Sequence, residues 1–211
     1  MKLKILTFTL FIIGISNSNA QVQLQSFGGN DGFQFSTIIE KKIAANEKLS
    51  YFNFSNYYAP YDSISKGAFE MYHVLNYEFT KNIGVAIGNT FTNDDIIPQI
   101  GLSWTIDKEE LNLNFFPALN YSLNSKKMGI GVYSLLEYTP KINEKWNSYN
   151  MLILDSDFTF KEHSESNQYI RIGAEFKKRF QFGLGLNFSE SNIESSTVFN
   201  SSYGVFAGYT L

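Results

Sequence analysis

Between Glu110 and Leu123 the chain reads ELNLNFFPALNYSL, with Leu111, Leu113, Phe115, Pro117, Leu119, Tyr121 and Leu123 at every odd position. Successive side chains of an extended chain point to opposite faces, so this is a strand with one oily face and one face of amides and small groups. The same alternation recurs. Ile83, Val85, Ile87 and Phe91 oppose Gly84, Ala86, Gly88 and Thr90, and Phe182, Leu184, Leu186 and Phe188 oppose Gly183, Gly185, Asn187 and Ser189. A water-soluble barrel or sandwich would carry many charges on its polar face. These polar faces are nearly uncharged, which suits a confined interior, with the oily face turned to lipid. The expected fold is an all-β, transmembrane, antiparallel up-and-down β-barrel.

Apolar alternation bounded by turn residues gives eleven segments: 33–44, 49–59, 68–80, 83–92, 96–106, 110–123, 128–139, 145–160, 168–178, 181–189 and 202–211. If the chain ends on the periplasmic side, alternate connections are tight turns. The opposite ones include the long polar stretches 60–67, 161–167 and 190–201. That parity requires one more strand before residue 33, and Val22 to Phe27, followed by the turn 28–32, supplies it. Twelve strands are therefore expected, with ten as the fallback. In segment 145–160, an inward Asp155 and Asp157 bring Met151 and Ile153 with them, so a bulge or early strand end near Asp155 is expected.

The beginning of the chain reads as an export signal. Lys2 and Lys4 precede the apolar run 5–15, and Ser18-Asn19-Ala20 has the small residues of a cleavage site, leaving 21–211 as one mature domain. The chain has no Cys, which excludes a disulfide scaffold and a lipid anchor on a processed cysteine. Without Lys2 and Lys4, the 17 basic and 20 acidic residues leave a net charge of about −5, which argues against nucleic acid as a partner. Aromatic residues make up 17% of the chain, and Tyr77, Trp104, Tyr121, Tyr138, Trp146 and Tyr209 near strand ends are candidates for interfacial belts.

The segments GIGVYSLLEYTPKINEKWNSYN (129–150), YIRIGAEFKKRFQFGLGLNFSE (169–190) and SSYGVFAGYTL (201–211) resemble small outer-membrane β-barrel proteins of Bacteroidota-like Gram-negative bacteria. The resemblance implies location in the outer membrane and a barrel fold. Insertion would proceed through the barrel-assembly machinery, which in many such barrels reads a terminal aromatic residue. Here the last residue is Leu211, with Tyr209 two positions earlier.

Charges within strands are expected to avoid lipid and point inward. The candidates for a charged constriction are Glu70, Glu78, Glu137, Arg171, Glu175 and Lys177, with Arg171 facing Glu137, Glu70 and Glu78 around the wall. On this reading the barrel is a monomeric, narrow passive channel for small hydrophilic solutes or ions, surrounded by outer-membrane lipid and needing no cofactor or metal. Two alternatives remain open. One is a closed barrel with a structural or surface-binding role through its outer loops, chiefly 190–201. The other is a lipid hydrolase at the rim using His73 with a neighbouring serine. The segment KEHSESN (161–167) offers His and carboxylates but lacks the paired spacing of a zinc site, and reads as a solvated loop.

Overall fold

Val, Ile, Phe and Tyr at every second position favour extended backbone, because branched and aromatic side chains fit a pleated surface better than a helical one. A computed structural model, which describes residues 20–43, 48–63, 67–160, 162–193 and 196–211, pairs these segments into one sheet closed on itself. The described residues form twelve strands: β1 (Ala20–Gly29), β2 (Gly32–Lys42), β3 (Leu49–Pro60), β4 (Ala68–Thr80), β5 (Ile83–Thr92), β6 (Ile96–Lys108), β7 (Leu111–Tyr121), β8 (Met128–Tyr138), β9 (Trp146–Thr159), β10 (His163–Phe176), β11 (Phe180–Ile193) and β12 (Ser196–Thr210). Every strand pairs antiparallel with its neighbours in sequence, and β1 closes the ring against β12, from Gln23 opposite Thr210 to Gly29 opposite Gly204. Closure satisfies the ladder without an edge, the condition a spanning sheet must meet. The fallback of ten strands is excluded. The proposed cleavage signal falls almost wholly outside the described residues.

The outer surface is an apolar band. Leu75, Val85, Ile87, Ile100, Leu102, Leu119, Ile172, Phe182, Leu184 and Val205 are all exposed on it, an area far larger than scattered surface residues would give. At the end where β1 begins and β12 ends, Tyr77, Trp104 and Tyr138 are exposed. Trp146 there packs on Phe176 at 4.7 Å and Tyr209 on Phe180 at 4.8 Å between ring centroids. Tyr121 lies at the opposite end, beside the β7–β8 turn.

Three expectations need correction. The bulge near Asp155 is absent: β9 stays in register with β8 and β10 through Asp155 and Asp157, and Met151 and Ile153 do face inward beside them. They are accommodated because the interior at that height is apolar. Segments 163–167 and 190–201 are mostly strand, since β9 to β12 continue as two long hairpins whose Ser, Asn and Thr side chains sit on paired backbone. Finally, the interior is not lined throughout by small neutral groups. Phe52, Phe54, Val74, Phe116, Tyr133, Leu135 and Ile153 are buried in it.

Candidate functional site

The middle of the lumen is filled from several walls at once. Phe52 and Phe54 on β3, Tyr72 on β4, Phe116 on β7 and Tyr133 on β8 alternate in the sense that points them inward, and their rings meet. Tyr72 stacks on Tyr133 at 4.6 Å with planes 13° apart, and Phe52 lies 5.5 Å from Phe116 and 5.4 Å from Tyr133. Phe54 continues the chain of rings to Tyr169 at 6.0 Å, and Tyr149 packs on Phe206 at 5.6 Å. Tyr149 is 0% exposed and Tyr133 1%. Such offset and tilted ring pairs are held by dispersion and by their quadrupoles.

Arg171 on β10 lies inside, 1% exposed, among neutral groups. Its Nε donates to Gln25 Oε1 at 2.9 Å, Nη2 to Gln34 Oε1 at 3.1 Å, and Nη1 to Asn187 Oδ1 at 2.8 Å and to the carbonyl of Ile170 at 2.9 Å. The guanidinium also lies 4.4 Å from the centroid of the Phe27 ring. Gly185 makes this possible, since a Cβ there would come within 2.7 Å of the Phe27 ring. The expected pairing of Arg171 with Glu137, Glu70 or Glu78 does not form, because amides from β1, β2 and β11 already saturate the fork. Amide oxygens solvate a buried guanidinium without the desolvated carboxylate that an ion pair would require.

The carboxylates sit at the two ends. At the end where β1 begins and β12 ends, Glu137 and Glu175 line a cavity of about 390 Å³ with Gln21, Asn112, Asn147 and Lys178. Glu175 accepts from Asn147 Nδ2 at 2.7 Å and from Gln181 Nε2 at 2.9 Å, and Glu137 from the Tyr149 hydroxyl at 3.3 Å. Glu40, which the sequence reading passed over, accepts from both Asn112 and Asn114 at the same end. Glu78 accepts from Thr105 Oγ1 at 3.1 Å. Beyond the rings, Glu70 meets Asp155 across the lumen, and Asp157 accepts from Asn120 Nδ2 at 2.6 Å. Lys177 is not in the lumen. It and Lys178 take left-handed backbone, with φ of 52° and 56°, in a turn closed by a bond from the Arg179 amide to the Phe176 carbonyl. Such a turn ends the strand before Lys177, whose ammonium rests 5.3 Å from the Phe176 ring.

The two histidines differ. His73 points outward midway along β4, edge-on to Tyr51 and Phe91, and hydrogen-bonds no serine among the described residues. The serine–histidine contact is at His163, whose Nε2 lies 2.7 Å from Ser166 Oγ. Strand alternation hid this pair, because residues three apart belong to opposite faces.

No protein-family model matches the chain, and no curated protein does. Solved structures do. A KdgM porin in complex with disordered oligogalacturonate aligns over 90% of this chain and 99% of its own, with a TM-score of 0.50 and 10% identity. A NanC porin aligns over 91% of this chain and 100% of its own, with a TM-score of 0.48 and 11% identity. At such identities the likeness concerns backbone alone: the chain has the closed β-barrel fold seen in the KdgM porin.

Proposed function

We propose that the protein is an outer-membrane barrel whose lumen is shut by its own side chains and whose work is done at the surface opposite the start of β1 and the end of β12. The carrying observation is the run of contacting rings from Phe116 through Tyr133 to Tyr169, which fills the lumen at mid-height. The apolar outer band and the porin-type backbone support the membrane location. On this reading the end where β1 begins and β12 ends faces the periplasm and the β9–β10 and β11–β12 hairpins stand outside. The barrel is inserted by the assembly machinery as a monomer among outer-membrane lipids, and its outer hairpins carry a structural or binding role.

The narrow passive channel is the second reading. The polar cavity lined by Glu137 and Glu175 favours it, because a wet vestibule with inward carboxylates is what a cation-preferring pore would present. It requires the ring stack to part. Single-channel current across a planar bilayer decides between them, using folded protein verified by its heat-dependent gel shift. Silence from the native chain supports the closed barrel, and discrete steps with cation preference support the channel.

A further inference from the structure

The turn end of the β9–β10 hairpin holds an arrangement that a closed barrel does not need. In an unbroken strand His163 and Ser166 would face opposite ways. Here the register slips: His163 pairs with Phe158 and Glu165 with Asp157, leaving Ser164 as an extra residue on β10. The bulge resets the alternation and re-aims a side chain, as bulges do. His163 Nε2 therefore reaches Ser166 Oγ at 2.7 Å, while Nδ1 lies 3.6 Å from Glu190 Oε1 on β11. Ser166 stands directly opposite Glu190 on one side and Ser156 on the other, with the two serine oxygens 2.7 Å apart. The His163 side chain is 21% exposed and that of Glu190 43%, so the group is open to a substrate.

The surroundings define what could approach. Ser166 lies one outward position beyond Gln168, where the apolar run Ile170, Ile172 and Ala174 ends. Glu190 lies one outward position beyond Phe188, which stacks on Phe199 at 5.9 Å. The Phe158 ring is 5.1 Å from His163. The site is thus at the upper edge of the apolar band, at the depth of the polar headgroup region, flanked by aromatic rings.

We propose that Ser166, His163 and Glu190 form a serine esterase site on the outer rim, acting on a carboxylic ester presented at the membrane surface. Glu190 is a positioning residue: it faces Nδ1–H and so leaves Nε2 free to accept the serine proton. Ser166 Oγ attacks the ester carbonyl carbon as its proton passes to His163 Nε2. The carbonyl π electrons move to the oxygen, where the Ser156 hydroxyl is placed to donate. Collapse of this intermediate breaks the bond to the alcohol oxygen, which leaves with the proton from His163, and the acyl group stays on Ser166. Water then attacks the acyl carbon and gives its proton to His163. Release of the carboxylic acid returns that proton to Ser166 Oγ.

The test uses the folded mature barrel in detergent and a fluorophosphonate probe, with the modified peptide identified by mass spectrometry. Labelling at Ser166 is expected, abolished in Ser166→Ala while the heat-dependent gel shift persists. Turnover is measured on phosphatidylethanolamine–phosphatidylglycerol vesicles and, in parallel, on a soluble p-nitrophenyl ester. Activity on either supports the proposal, and the preferred one tells whether the ester is a membrane lipid or a free solute. Ser166→Ala and His163→Asn should each lower kcat by about a thousandfold or more. Glu190→Gln should lower kcat with KM unchanged, and Glu190→Asp should restore part of it. Absence of labelling in the folded native chain, or labelling undiminished in Ser166→Ala, would overturn the assignment. Neither result bears on whether the lumen conducts, which the bilayer current reads separately.

Discussion

Two different chemistries fill the middle of the lumen on its two sides. Against β3, β4, β7 and β8 it is filled by rings, whose contacts depend on volume and tolerate some rotation. Against β1, β2, β10 and β11 the Phe27 and Tyr169 rings are joined by one guanidinium and three amide side chains, Gln25, Gln34 and Asn187, whose hydrogen bonds depend on direction. A further chain of amides ties the two: Gln34 donates to Asn56, and Asn56 to the Tyr169 hydroxyl. The ring side is held by packing, and the amide side by directional hydrogen bonds. Packing resists a missing atom gradually, whereas a directional network fails when one member leaves.

Substitutions can break that comparison. Phe54→Ala removes a fully buried ring at the centre of the stack and should cost roughly 3–5 kcal/mol in a urea titration followed by gel shift. It should also give the first measurable bilayer current, since the cavity it leaves lies on the path. Arg171→Met keeps volume but strands several buried acceptors, so a loss of about 3 kcal/mol is expected. The loss should come without current, and equal conductance in both variants would erase the distinction between the two sides. Tyr133→Phe sharpens it from the other direction: the Tyr133 hydroxyl is buried with no partner among the described residues, so its removal should leave stability unchanged or raise it by about 1 kcal/mol.

The smallest effect belongs outside the band. Asp95 sits in the β5–β6 turn, where burial opposes its charge but bonds from Ser122 Oγ and from the amides of Asn124, Ile96 and Leu123 outweigh it, so its carboxyl lies below the usual range. A depressed folded pKa stabilises above the unfolded value and loses that contribution as pH falls through the folded one. Unfolding temperature by gel shift should therefore drop slightly for the native chain as pH is lowered through that window. Asp95→Asn should remove this pH dependence.

These outcomes also mark how much was legible beforehand. The run from Glu110 to Leu123 showed which residues face lipid, and parity of turns showed that a strand had to precede residue 33. Both are consequences of a period of two. The period says nothing about how far a side chain reaches across a lumen, so the meeting of Phe52 on β3 with Phe116 and Tyr133 on the paired strands β7 and β8 could not be read. Arg171 was correctly oriented inward, but its partner Gln25 is 146 positions away in sequence, and nothing local singled out amides over Glu137. His163 and Ser166 were concealed for the opposite reason. Alternation, trusted over that stretch, places them on different faces, and a run of serines and glutamates gives no sign of the bulge that brings them together.

The amide side has a consequence for how the molecule is made. Gln25 and Gln34 belong to the first two strands, Arg171 and Asn187 to the tenth and eleventh, so the guanidinium is saturated only when the two ends of the chain have met. Such contacts carry the full entropy of closing nearly the whole sequence into a loop, and they form late. Until then the cation has water as its partner and resists burial. Arg171 therefore couples desolvation of the interior to closure of the β1–β12 seam, and an open sheet that has not yet found its last neighbour is kept wet.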